Sequence, residues 1–64
     1  MPSDETELEM VKRHVREGER HLASQRQVVI DLREHGHGTG LAEQLLVNLE
    51  ELQKMHREHL ARLQ

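Results

Sequence analysis

The sequence predicts an all-α fold: an antiparallel helical hairpin that assembles into a homodimeric four-helix bundle. Three observations carry this expectation. The chain has 64 residues, a third of them charged, with neither aromatic residues nor cysteine. Three of its four glycines fall in His35-Gly36-His37-Gly38-Thr39-Gly40, which separates two segments of similar length. Both segments repeat apolar residues at helical rather than strand spacing. Residues 1–64 are therefore expected to form a single hairpin, with a helix over about 4–35, a turn at about 36–40 and a second helix over about 41–63.

Length and composition narrow the function classes. A chain this short buries a thin core, and small scaffolds draw extra stability from disulfides, metals or association. The absence of cysteine excludes disulfides. The formal charge of −3, with histidines neutral, disfavours binding to nucleic acid or an anionic membrane. Protonating all six histidines would bring it to +3, so the sign of the field can change across the range where histidine titrates. No apolar run approaches the roughly 20 residues of a spanning helix, and no signal-peptide pattern opens the chain. The expected setting is the bacterial cytoplasm.

The first helix has two candidate starts. Ser3 or Asp4 can cap it, and Thr6-Glu7-Leu8-Glu9 matches a capping box. Asp4, Glu5, Glu7 and Glu9 suit the positive end of the helix dipole. With Leu8 as position a, the coiled-coil a/d series runs Leu8, Val11, Val15, Gly18, Leu22, Gln25, Val29 and Leu32. Two positions break the stripe. Gly18 costs roughly 1 kcal/mol against alanine in a helix interior, as a tolerated defect or to admit close backbone approach by a partner. Gln25 either sets register through a polar layer or snorkels to the rim. His14, His21 and Val28 widen this face on one side, while Ile30 and Met10 lie off it.

In the turn, Gly36 occupies the left-handed position that ends a helix, and Thr39 is a suitable N-cap for the next one. His35 is expected to interact with the carbonyl end of the first helix. In the second helix the series runs Ala42, Leu45, Leu49, Leu52, His56, His59 and Leu63, with Leu46 and Leu60 widening it on one flank. The expected apolar interface is Leu8, Val11, Val15, Leu22, Val29, Leu32, Leu45, Leu49, Leu52, Leu60 and Leu63.

Folding the hairpin about Gly38 sets residue i roughly opposite residue 76 − i. That register gathers His14, His21, His56 and His59 in one half of the hairpin, and His21, His56 and His59, with Glu17 or Glu58, form a candidate zinc site. Otherwise no cofactor is expected. The spacing His56-Arg57-Glu58-His59 is not the His-Glu-x-x-His pattern, and hydrogen-bonded imidazoles at a bundle edge or a pH-sensitive assembly account for the same residues. Nothing points to catalysis: there is no cysteine nucleophile, no Gly-x-Ser-x-Gly elbow and no phosphate-binding glycine loop after a strand.

Two resemblances accompany these residues. His14-Val15-Arg16-Glu17-Gly18-Glu19-Arg20-His21, Leu32 with Gly36-His37, Ala42-Glu43-Gln44-Leu45-Leu46 and His56-Arg57-Glu58-His59-Leu60 resemble a group of small uncharacterised proteobacterial proteins, across nearly the whole chain. In length and central turn the chain also resembles the Rop-type RNA-binding hairpins, which pair into antiparallel four-helix bundles. None of the Rop-type motifs is present, nor is the aromatic residue of their RNA face.

The expected function is that of a non-enzymatic interaction module, a hairpin that self-associates and presents charged faces to a protein partner. Leu41, Leu46, Ile30, Met10 and Leu60 lie outside the strict seam, and one hairpin cannot cover them all. The alternatives are a nucleic-acid-binding regulator and a histidine-based divalent-metal or pH-sensitive assembly. Between Lys12 and Arg33 the first helix carries six basic and three acidic residues, enough for phosphate contacts without sequence reading.

Overall fold

The computed structural model describes residues 5–64 and consists of two helices, α1 (Glu7–Glu34) and α2 (Gly40–Leu63), packed as a hairpin. Of the two candidate starts for α1, the structure uses the second. Thr6 is extended at ψ 164°, and its Oγ1 accepts the Glu9 amide hydrogen at 3.1 Å while donating to Glu9 Oε1 at 3.3 Å. Ser3 and Asp4 lie outside the described residues.

The reversal is built by the end of α1. Gly36 takes φ +70°, its amide donates to the Arg33 carbonyl at 3.2 Å, and the His37 amide donates to the Leu32 carbonyl at 2.9 Å. These are the paired bonds of a Schellman motif, which satisfy carbonyls the helix leaves free. His35 adds to the same end, its ring Nδ1–H donating to the Asp31 carbonyl at 2.7 Å. Thr39 departs from expectation. It is the residue before α2, but its hydroxyl makes no capping bond. The reason is its backbone: at ψ 0° it is already helical, whereas a capping side chain reaches forward from an extended residue, as Thr6 does.

On α1 the inward stripe coincides with the a/d series. Val11, Leu22 and Val29 are buried, and Leu8, Val15, Gly18, Gln25 and Leu32 are half-buried. On α2 the inward stripe differs from the expected one. It consists of Ala42, Leu46, Leu49, Gln53, His56, Leu60 and Leu63, all buried or half-buried, while Leu45 and Leu52 are each 47% exposed. The helix is thus rotated so that Leu46, Gln53 and Leu60 lie inward in place of Leu45 and Leu52, with His59 half-buried beside Leu60. Among the described residues of α2 the one fully buried side chain is Gln53, at 3% exposure.

The axial register also departs from 76 − i, by about one to two helical turns. Gly18 faces Gln53, and His14 lies against His56. Gln25, nine residues before the end of α1, donates its amide to the Ala42 carbonyl in the first turn of α2 at 2.9 Å. The end of α1 therefore overhangs the start of α2, because the chain turns back along the last turn of α1 before α2 begins.

The resulting body measures 47 × 26 × 13 Å with a radius of gyration of 15.0 Å, against about 11 Å for a globular chain of this length. Its thickness is close to the diameter of one helix, about 10–12 Å. Both broad faces of the two-helix slab are consequently surface, and each helix has one lateral flank on each of them.

Candidate functional site

The two broad faces differ in chemistry. On the first, α1 contributes His14 and His21, with Arg13 and Glu17 at the rim, and α2 contributes Leu49, Leu52 and His56, to a groove of about 310 Å³ over Gly18 and Gln53. Val28, one heptad on from His21, and Leu45, one heptad before Leu52, continue this face toward the turn. Along α2 the outer edge reads Leu41, Leu45, Asn48, Leu52, Met55 and His59 at alternating four- and three-residue steps, with no charged residue in the stripe. Leu41 is 90% exposed, and Val28 and Met55 are exposed as well.

The second face is charged. Arg26, Arg33, Glu43, Glu50, Lys54 and Arg57 line its shallow depressions, with the exposed Ile30 and Val47 among them. Opposite charges meet across the helices here: Arg33 Nη2 donates to Glu43 Oε1 at 2.6 Å, and Arg57 pairs with Glu19. At the open end, on the rim of the first face, Arg13 holds Glu5 through Nε and Nη2 at 3.1 and 3.0 Å and Glu17 through Nη1 at 2.9 Å. The Arg13 guanidinium is stabilised in its charged form first by the hydrogen bond to Glu5, and Glu5 is correspondingly held below the usual carboxylate range.

Beneath the apolar face lies a polar joint. Gln53 Nε2 donates to the Val15 carbonyl at 2.9 Å and to Glu19 Oε1 at 3.0 Å. Its Oε1 lies against Gly18, where a Cβ would stand 2.6 Å from the carboxamide carbon. Two buried side-chain atoms among the described residues lack a hydrogen-bond partner, Gln53 Oε1 and His56 Nδ1, and both residues line the same groove. The His14 and His56 rings are tilted against each other, with centroids 5.3 Å apart.

Of the histidines expected to gather as metal ligands, His21 and His56 border the same groove and His59 is engaged elsewhere. His21 borders the groove, His56 is paired with His14, and His59 Nε2 is 3.1 Å from Glu7 Oε1. Glu17 is engaged by Arg13, and Glu58 borders the charged side with Lys54 and Arg57. Among the described residues no three His, Cys, Asp or Glu side chains are grouped to hold a metal ion. The trio His21, His56 and His59 is separated by the shift in register, which brings His56 level with His14 instead of His21. Sequence reasoning missed Gln53, and it placed His14 in the same cluster as His56 but set His21 rather than His14 level with it. A long polar residue seven after Leu46, at heptad spacing opposite the single mid-helix glycine, was the available signal.

Compared with protein-family models, curated proteins and solved structures, the chain matches none. What the structure shows is a small two-helix hairpin. No helix among the described residues is long and apolar enough to cross a membrane.

Proposed function

We propose that the chain is a non-enzymatic interaction module that works as a self-associated pair of hairpins, joined through the face that carries the apolar stripe of α2. One observation carries this reading. The stripe Leu41, Leu45, Leu52 and Met55 is exposed beside Val28, while the opposite face of the same slab spends its charges on ion pairs. A contiguous apolar face of this kind marks a contact surface. Stacking two such slabs gives four helices around a shared core, the arrangement that gives a thin hairpin a second layer. The basic residues of α1 support nucleic-acid binding less well, because Arg13 and Arg33 are engaged by carboxylates.

Sedimentation equilibrium tests the reading. The wild-type chain should sediment as a dimer, and Leu45→Glu/Leu52→Glu as a monomer with unchanged helical circular dichroism, since both leucines lie outside the intramolecular seam. Burying the exposed halves of these leucines on two copies contributes about 4 kcal/mol, which is about a thousandfold in the dissociation constant. A monomeric wild type at high micromolar concentration overturns the proposal.

A further inference from the structure

We propose that His14 and His56 form half of a transition-metal site, and that two copies of the chain complete it around one shared divalent ion of the zinc type. This deepens the self-association proposed above and rests on it. The two imidazoles come from facing helices, with ring centroids 5.3 Å apart. With zinc–nitrogen bonds of about 2.0–2.1 Å, two imidazoles on one tetrahedral ion have ring centres about 5 Å apart. The pair is therefore spaced for a common ion without rearrangement of the helices.

Three further observations point the same way. His56 Nδ1 is buried without a hydrogen-bond partner, and so is Oε1 of Gln53, one turn earlier on α2. Both residues line the groove, and an unsatisfied buried polar atom is costly; with Nδ1 buried within the chain, Nε2 is the His56 nitrogen left to bind an ion from the open face. Moreover, the pair opens on the face that carries the apolar stripe, where a second copy is proposed to dock. The charged groups bordering the groove, Arg13 and Glu17, are bound to each other, and Arg13 also to Glu5, so they offset one another beside the imidazoles. Lastly, the described residues of one chain offer no third ligand, and a tetrahedral ion needs four. An isologous two-fold contact duplicates every group it uses, so two histidines become four.

The arrangement of the dimer follows. His14 and His56 both lie in the half of the hairpin away from the turn. Covering the apolar stripe as far as Leu41 and Val28 requires the two faces to overlap along their length, and with that overlap two such pairs meet at one ion only if both turns lie at the same end of the bundle. An opposed arrangement brings the pairs together only by slipping the copies apart and leaving that stripe uncovered.

The experiment is calorimetric titration of the wild-type chain with zinc chloride, repeated with cobalt(II) for its visible absorption and followed by sedimentation of each sample. The expected result is one ion per two chains, a tetrahedral cobalt spectrum and a metal-tightened dimer. His14→Gln/His56→Gln should lose the ion and the spectrum while keeping helical circular dichroism, and His21→Gln should bind as wild type does. Spin labels on Gly38→Cys, a position with open space around it, should report turns at the same end. A dimer that takes up no metal, binding of one ion per single chain, retention of the ion by the double variant, or turns at opposite ends overturns the metal site and leaves self-association standing. A chain that stays monomeric with and without metal overturns both.

Discussion

Gly18 and Gln53 form a single joint between the two helices: the carboxamide of Gln53 occupies the space that any side chain at position 18 would need. The fit explains a glycine in the middle of a 28-residue helix. It also explains how an amide at 3% exposure can be the most buried group of α2. Its Nε2 bridges the Val15 carbonyl and the Glu19 carboxylate, so the joint fixes both the axial level and the rotation of α2 against α1.

Gly18→Ala tests this joint through its dependence on residue 53. Alanine gains roughly 1 kcal/mol in helix propensity. In the wild-type background it displaces Gln53 and forfeits two hydrogen bonds worth about 1 kcal/mol each. The net effect should lie between neutral and about 1 kcal/mol destabilising, balancing those two terms. In a Gln53→Ala background nothing is displaced, and the same substitution should stabilise by about 1 kcal/mol. Denaturant unfolding of the four proteins therefore closes a double-mutant cycle with a coupling of about 1–2 kcal/mol. Additive effects would show that the two residues do not touch.

The turn glycines separate in the same manner. Gly36 sits at φ +70°, where a Cβ is strained, while neither Gly36 nor Gly38 has a neighbour that a methyl group would strike. Gly36→Ala should therefore cost about 1 kcal/mol. Gly38→Ala, at a backbone angle open to other residues, should stabilise by about 0.4–1 kcal/mol by reducing the freedom of the unfolded chain. Thermal melting of the two variants reads the difference directly, and equal shifts would contradict the Schellman geometry.

How far the sequence anticipates the structure depends on the width of each apolar arc. On α1 charged residues bound the stripe closely, and the inward series from Leu8 to Leu32 can be read directly. On α2 leucines at 41, 45, 46, 49, 52, 60 and 63 cover so broad an arc that two heptad registers, offset by one residue, both fit. Hydropathy favours the register that exposes Gln53, and steric fit at Gly18 favours the one that buries it. The axial level was hidden for a related reason. Periodicity says nothing of how the chain travels between helices, and the overhang of α1 moves the close-packed pairs Gly18–Gln53 and His14–His56 by more than one turn from the expected register. The groove and its His14–His56 pair depend on both quantities, so they emerge only from the folded chain.

Glu5 precedes the Thr6 cap and is gripped side-on by Arg13, two turns into α1. The Arg13 hydrogen bond holds the Glu5 carboxyl below its ordinary 4.5, with the charges of Arg13, His14 and Arg16 acting in the same direction and partial desolvation opposing them. The sign of the linkage follows. A carboxyl whose folded pKa is depressed contributes stability that is present above the unfolded value and is lost as pH falls through the folded one. That contribution is small at so exposed a site, and salt screens it. The titration midpoint is the sharper measurement. Carbon-detected NMR should show Glu5 titrating below the ordinary glutamate value in the wild type and returning to it in Arg13→Gln. Arg13→Lys should recover only part of the shift, because an ammonium cannot reproduce the two-point contact of the guanidinium. Raising the salt should move the wild-type midpoint toward the ordinary value, leaving the part of the shift held by the direct hydrogen bonds. A Glu5 that titrates normally in the wild type at low salt would mean that Arg13 does not anchor the start of α1, and that its guanidinium is free to serve the charged surface instead.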